Sequence, residues 1–213
     1  KTGLELLQEN CWEAYYDLAL ALHNQTAEGA FLCSETDEME QVVRIVQQHA
    51  RSPVDQAPAY EIKIMALTAQ NRWAEACQSA LEILKKLGLS LPTAPGKFQI
   101  WLSLFKTRIL LIGKSFDQLS QLPPMAEPSK TAIMRIILRA NTALAFIHPE
   151  LYPVLASEQI RLTVRYGNGP TSAAAYLNYG ILLGSQGDME KGYQFGQLAL
   201  QFVEQPQAEV SRI

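Results

Sequence analysis

Apolar residues recur every three or four positions along most of this chain, which is the spacing of one buried face of an α-helix. Residues 4–24 show it first, from Leu4 and Leu7 to Leu22. Valine, isoleucine and threonine never alternate with polar residues over the length of a strand, so no sheet is expected. The pattern therefore predicts an all-α chain.

Glycine, proline and capping residues divide this pattern into helices joined by short turns. Thr26 is predicted to cap the second helix. The predicted helices cover 4–24, 27–34, a stretch from 36 that ends before Pro53, 60–67, 73–87, 97–113, 129–148, a stretch that ends at 166, and two helices within 175–202, which Pro206 ends. Residues 97–113 are apolar on more than one side, so this helix is expected inside the array with Trp101 and Phe105 buried. The proline-rich segment 121–130 is the predicted linker and a possible break between sub-lobes.

Residues 175–202 form the clearest unit, two amphipathic helices joined by a turn at Gln186-Gly187-Asp188. Bulky and small residues are predicted to fill the contact between these helices: Tyr176, Tyr179, Leu183, Gly180, Gly192, Gly196 and Ala199. The pattern resembles a tetratricopeptide repeat (TPR), in which an aromatic residue and Leu-Gly precede small residues on the second helix. One such hairpin must stack on neighbours to bury its apolar face. We therefore expect a single TPR-like array over residues 1–213, an α-α superhelix of about ten to twelve antiparallel helices.

The net charge of −3 hides an uneven distribution. Residues 1–84 carry 5 Lys and Arg against 13 Asp and Glu, whereas residues 85–139 carry 9 against 2. The basic stretch either solvates one face, docks on an acidic protein surface, or binds nucleic acid, which requires exposed aromatic rings among the cations. Because Trp101 and Phe105 are expected to be buried, nucleic acid is not expected. The possible partner-contact residues are Lys106, Arg108, Arg135 and Arg139.

Candidate chemistry is sparse. His23, His49 and His148 lack the four-residue spacing of a helical metal pair, and no Gly-x-Ser-x-Gly elbow occurs. Gly167-Asn168-Gly169 is predicted to be a helix end followed by a turn rather than a phosphate cradle. We therefore expect no catalytic residue, cofactor or metal site.

The cysteines and the hydropathy bear on location. Cys11, Cys33 and Cys77 are predicted to be buried free thiols in a reducing cytoplasm. No apolar run approaches the roughly 18–20 residues that cross a membrane, so no membrane contact is expected.

Several runs resemble one family: Ala59–Ile64, Leu122–Met125, Tyr166–Ala173 and Gly192–Leu200. Together they are similar to the helical region of large, mostly cyanobacterial signalling proteins. Those proteins combine a serine/threonine kinase, a STAND-type AAA ATPase, a helical array, a GAF domain and a sensor histidine kinase. The resemblance implies that this chain, whose first residue is not Met, is a fragment of such a protein. ATP binding and phosphotransfer are then expected outside it, since it contains no phosphate loop and no kinase motif.

Three functional hypotheses follow. The leading one is a non-catalytic protein-interaction and signal-relay module of a multidomain ATPase-kinase protein, because helical arrays expose long binding surfaces. The competing one is a small-molecule sensor with an interhelical pocket near Trp101, Phe105 and Tyr152. The third is a structural spacer between catalytic domains. An enzyme in its own right is not expected.

Overall fold

The computed structural model describes residue 4, residues 10–92 and residues 94–204. The predicted stripe residue Leu7 and the predicted stop at Pro206 lie outside these residues. Within the described part, all helical and extended structure consists of α-helices, one 3₁₀ turn and one isolated parallel bridge between Pro124 and Asn168, with no strand. The prediction of an all-α chain of stacked helices is confirmed.

The chain divides into two compact units, Lys1–Leu91 with Arg135–Ile147, and Pro92–Met134 with His148–Ile213. The predicted break at 121–130 therefore falls within the second unit. The helices are α1 (Cys11–Ala14), α2 (Tyr16–Leu32), α3 (Thr36–His49), α4 (Pro53–Ala69), α5 (Trp73–Lys86), α6 (Lys97–Leu111), α7 (Phe116–Ser120), α8 (Pro128–Ile147), α9 (Tyr152–Tyr166), α10 (Ser172–Ser185) and α11 (Met189–Glu204), with the 3₁₀ turn at Pro149–Leu151 before α9.

In the first unit, α2 continues through Thr26, so the predicted cap at that position is wrong. The reason is that the buried stripe does not stop there: Ala19, His23, Ala27 and Ala30 are all buried at helical spacing. Its last two members pack with valines of α3 in one core cluster. The helix break lies instead at Tyr15, between α1 and α2.

Helix α4 starts at Pro53, seven positions before the predicted start at Tyr60. The Ser52 side chain caps it by accepting a hydrogen bond from the Asp55 backbone N–H at 3.1 Å. Proline is favoured at the first helical position because its missing N–H would have no partner there. Pro53, the predicted boundary after the preceding helix, is thus the first residue of α4.

In the second unit, α10 and α11 form the predicted hairpin around the buried side chains of Tyr176, Tyr179 and Leu183. A Cβ atom added to Gly180 would lie 2.8 Å from the carbonyl oxygen of Gly192, so these glycines mark the closest approach of the helices. Gly196 was predicted to serve the same purpose, but a Cβ atom there would meet nothing within 4 Å.

The proline-rich segment before α8 is fixed to the loop after α9. The Asn168 backbone N–H donates to the carbonyl oxygen of Pro123 at 2.8 Å, and the Met125 N–H donates to that of Asn168 at 2.6 Å. The buried Asn168 side chain donates to the carbonyl oxygen of Leu119 at 2.8 Å and accepts from the Tyr176 hydroxyl at 2.8 Å. Gly167-Asn168-Gly169 is therefore a helix end that also anchors a neighbouring loop.

Candidate functional site

Helix α6 in the second unit has an outer face that is entirely apolar. The apolar residues on this face recur at spacings of three and four, and each exposes between 46% and 76% of its surface. They are Phe98, Trp101, Phe105, Ile109 and Ile112, the last of which follows the helix immediately. We call these five residues the aromatic stripe. The Trp101 and Phe105 rings stack with centroids 5.1 Å apart and an interplanar angle of 9°, and the Phe98 ring continues the row.

The expectation that Trp101 and Phe105 are buried is therefore wrong. Helix α6 packs chiefly on one neighbour, α9, and its opposite face stays open. The two rings consequently lie on the surface, and the interhelical pocket near Trp101, Phe105 and Tyr152 stays a prediction. The Tyr152 hydroxyl donates to the carbonyl oxygen of Asn178 at 2.9 Å.

The inner face of α6 is small and polar at its centre, although Leu104 and Leu111 pack against the apolar core of the second unit. Ser103 and Thr107 are buried there, and the Arg161 guanidinium of α9 donates to the Ser103 hydroxyl at 3.0 Å and to the Thr107 hydroxyl at 3.2 Å. Arg161 also contacts the Glu158 carboxylate. The usual polarity of a surface helix is thus inverted at its centre, with small hydroxyls inside and aromatic rings outside. The signal was present in the sequence, since Ser103 and Thr107 stand opposite the aromatic positions.

Cations border the aromatic stripe and the end of α6. They are Lys97, Lys106, Arg108 and Lys114, and no carboxylate pairs with any of them among the described residues. Arg108 donates only to the neutral side-chain oxygen of Gln186, at 3.2 Å. Two of the predicted contact residues, Lys106 and Arg108, therefore lie beside exposed apolar surface. Neither forms a salt bridge among the described residues, although the charge of Arg108 helps to lower the pKa of Asp188.

The other two predicted contact residues, Arg135 and Arg139, belong to the first unit and face a carboxylate of their own chain. Arg135 donates to Oε2 of buried Glu61 from Nε at 3.1 Å and from Nη2 at 3.0 Å, and Arg139 lies 3.8 Å from the same oxygen. Burial raises the pKa of Glu61, while the two arginines act in the opposite direction. The single carboxylate of Glu61 thus faces two guanidinium groups, and both arginine side chains stay nearly half exposed, at 48% and 46%. Their role as contact residues stays a prediction.

A cleft of about 430 Å³ opens beside the C-terminal end of α6 in the second unit. Its apolar lining comes from the end of α6, at Leu111 and Ile112, and from α7, α10 and α11, which supply Phe116, Tyr179, Leu183 and Phe195. Arg108 and Lys114 lie at the same cleft. It therefore combines an apolar interior with more cations than carboxylates, since Asp188 and Lys191 also line it.

The first unit has a groove of about 310 Å³ between α3, α4 and α5, but its charges neutralise one another. Arg72 pairs with Glu75 at 2.6 Å and with Glu40 at 3.6 Å, and Arg44 lies 3.5 Å from Glu40. This groove therefore offers a ligand less uncompensated charge than the surface of α6 does.

The remaining candidates have structural surroundings. Nδ1 of His23 and of His49 lies within hydrogen-bond distance of a backbone oxygen four residues earlier, and both rings pack on Trp12. Among the described residues, no three His, Cys, Asp or Glu side chains gather closely enough to hold a metal ion. Within the same residues, no helix has the length and hydropathy of a membrane span. Cys11 and Cys77 are buried as predicted, but Cys33, just after α2, is exposed.

Comparisons with protein-family models, with curated proteins and with solved structures find no match to this chain.

Proposed function

We propose that this chain is a non-catalytic protein-binding module whose binding surface is the aromatic stripe of α6. The partner is an acidic amphipathic helix. Its apolar side chains cover the aromatic stripe, and its carboxylates contact Lys97, Lys106 and Arg108. The observation that carries the proposal is the inverted polarity of α6, where five apolar side chains face outward and two small polar ones face inward.

The exposure of the aromatic stripe has an energetic consequence. Full burial of a large apolar side chain contributes about 1.5–3 kcal/mol relative to exposure. Five side chains that keep about half or more of their surface in water leave much of that contribution for a partner to realise. Apolar anchors at helical spacing on one face are the arrangement by which amphipathic helices are recognised, and the unpaired cations favour an acidic partner.

The composition of the aromatic stripe favours protein over nucleic acid. The sequence expectation of no nucleic acid depended on burial of Trp101 and Phe105, and their exposure removes that reason. However, these two rings stack on each other with no room for a base between them. Ile109 and Ile112 offer no ring for base stacking. An extended apolar row of this kind suits the side of another helix.

The wider role of the module is also part of the proposal. Relay of a signal between the ATPase and kinase domains of a cyanobacterial-type parent protein stays a prediction that depends on the family resemblance. A cytoplasmic location is supported by the three free thiols of Cys11, Cys33 and Cys77.

Fluorescence anisotropy tests the proposed partner chemistry. The probe is a labelled synthetic helix with Leu and Phe on one face and Glu on the other, and its matched control carries Lys in place of every Glu. The acidic peptide is expected to bind at least about tenfold more tightly. The double variant Trp101→Ala/Phe105→Ala is expected to weaken that binding about tenfold or more. Leu32→Ala, which removes an exposed apolar residue of α2, should leave it unchanged.

Equal affinity for the two peptides, or equal binding by both variants, would contradict the proposal. Two further outcomes would indicate a binding partner other than an acidic helix. Tighter binding of an oligothymidylate that is lost in the double variant would indicate nucleic acid. A dimer in sedimentation experiments that dissociates in the double variant would indicate a second copy of the chain.

A further inference from the structure

The cleft beside α6 has the size and lining of a small-molecule site. Its volume of about 430 Å³ lies within the range of about 300–1,000 Å³ typical of ligand pockets. Phe195 packs edge-on against the rings of Phe116 and Tyr179, with both centroid distances at 5.1 Å. Leu183 adds an aliphatic wall. The interior therefore suits an apolar body rather than a polar one.

The charges at this cleft select the sign of a ligand. Lys191 is paired with Asp188 at 3.1 Å, and this hydrogen bond lowers the pKa of Asp188. Arg108 forms no salt bridge among the described residues, although its charge also helps to lower the pKa of Asp188, and Lys114 has no carboxylate partner among them. The cleft thus carries two cations in excess of its carboxylates.

We infer that this cleft binds a small anionic amphiphile, a single alkyl chain that ends in a carboxylate. The chain lies against Leu183 and Phe195, and the carboxylate contacts Lys114 and Arg108. This site adjoins the aromatic stripe, since Ile112 belongs to both and Arg108 lies at both. It is distinct from the ring surface of Trp101 and Phe105, because most of its apolar lining comes from α7, α10 and α11. It also differs from the pocket near Trp101, Phe105 and Tyr152 that the sequence suggested.

Isothermal titration calorimetry with hexanoate, octanoate and decanoate, each below its micellar concentration, tests this inference. Affinity is expected to rise about fourfold for each added CH₂ group, because each buried CH₂ contributes about 0.8 kcal/mol. Decanol and decyltrimethylammonium keep the chain and change the head group. Both are expected to bind more weakly than decanoate, with the cation the weaker of the two.

Variants on the surface of the cleft separate the head-group contact from chain burial. Lys114→Ala is expected to lower the affinity for decanoate about threefold to tenfold and to leave the affinity for decanol unchanged. Lys97→Ala is the matched control, since Lys97 belongs to α6 but does not line the cleft, and it should have no effect. Trp101→Ala/Phe105→Ala should weaken binding of the acidic peptide while decanoate binding persists. The two measurements therefore allow each proposal to fail without the other.

Three results would overturn the inference. They are the absence of saturable decanoate binding, an affinity for decyltrimethylammonium equal to that for decanoate, and an unchanged decanoate affinity in Lys114→Ala. Loss of decanoate binding in the Trp101→Ala/Phe105→Ala variant would place the amphiphile on the aromatic stripe and would also contradict it.

Discussion

Gly180 and Gly192 face each other where α10 crosses α11, and a Cβ atom on either would lie 2.8 Å from the carbonyl oxygen of the other. The contact is between backbones, which cannot rotate away as a side chain can. The second helix of the hairpin therefore has its position fixed by two residues that have no side chain.

Gly180→Ala is expected to lower the free energy of unfolding by about 1–3 kcal/mol, because the added methyl group forces two helices apart. Gly196→Ala provides the control in the same hairpin, since its Cβ would meet nothing within 4 Å. The free energy of unfolding of that variant is expected to rise by about 0.4–1 kcal/mol, because alanine reduces the entropy of the unfolded chain. Urea unfolding measures both, and equal effects of the two variants would contradict the close approach.

The Gly167 position combines a left-handed backbone with a close carbonyl. Its φ is 105°, and an added Cβ would lie 2.0 Å from the carbonyl oxygen of Pro123. Gly187 has a similar φ of 91° but open space around it. Gly187→Ala should therefore lower the free energy of unfolding by about 1–2 kcal/mol, through the backbone conformation alone. Gly167→Ala should lower it by about 1–3 kcal/mol more, because of the clash with Pro123. Thermal unfolding that shifts equally in the two variants would argue against the anchored loop.

The buried carboxylate of Glu61 makes the stability of the first unit depend on pH. Its pKa is raised above 4.5, mainly by burial, so the folded chain retains this proton to higher pH than the unfolded chain does. The stabilisation that comes from protonated Glu61 is therefore fully present below the pKa of the unfolded chain. It is lost as the pH rises through the pKa of Glu61 in the folded chain. Glu61→Gln should remove this component from a series of urea titrations between about pH 4 and 8.

The two arginines at Glu61 differ in distance, which provides an internal control. At neutral pH, Arg135→Met is expected to lower the free energy of unfolding by about 1–3 kcal/mol, because it removes both hydrogen bonds from Arg135 to a buried carboxylate. Arg139→Met should cost less, since its nitrogen lies 3.8 Å away. The reverse order in urea unfolding would show that the pairing with Glu61 is assigned incorrectly.

The thiols should differ in reactivity. Cys33 is exposed, whereas Cys77 is buried and burial raises its pKa to about 11. Because the thiolate is the reactive form, iodoacetamide at about pH 8 should modify Cys33 first and Cys77 only after unfolding. Peptide mass spectrometry after brief labelling measures the order, and early modification of Cys77 would contradict its burial.

Local patterns predicted much of the fold. The predicted helix start at Trp73 and the predicted turn at Gly187 match the structure, because these signals act through the backbone of adjacent residues. The same approach failed at Thr26, where a continuing buried stripe outweighs a possible cap. It missed the role of Asn168, since hydrogen bonds to Leu119 and Tyr176 join distant parts of the chain.

The candidate site was harder to predict for a physical reason. A helix that is apolar on two sides is buried if two neighbours pack on it and exposed if one does. The sequence of α6 predicts the apolar character of Trp101 and Phe105 but not the number of helices against them. Likewise, it identifies Arg135 and Lys106 as cations, while only the fold shows that the first faces Glu61 and the second faces no carboxylate.

The most direct test of the central claim uses Trp101 as its own reporter. The chain has three tryptophans, so Trp12→Phe/Trp73→Phe leaves Trp101, whose surface is 56% exposed, as the only one. Titration with the unlabelled acidic helix is expected to shift the Trp101 emission to shorter wavelength and to reduce its quenching by acrylamide. If the peptide binds this variant, as followed by anisotropy, while Trp101 stays equally quenched, the aromatic stripe is not the binding surface.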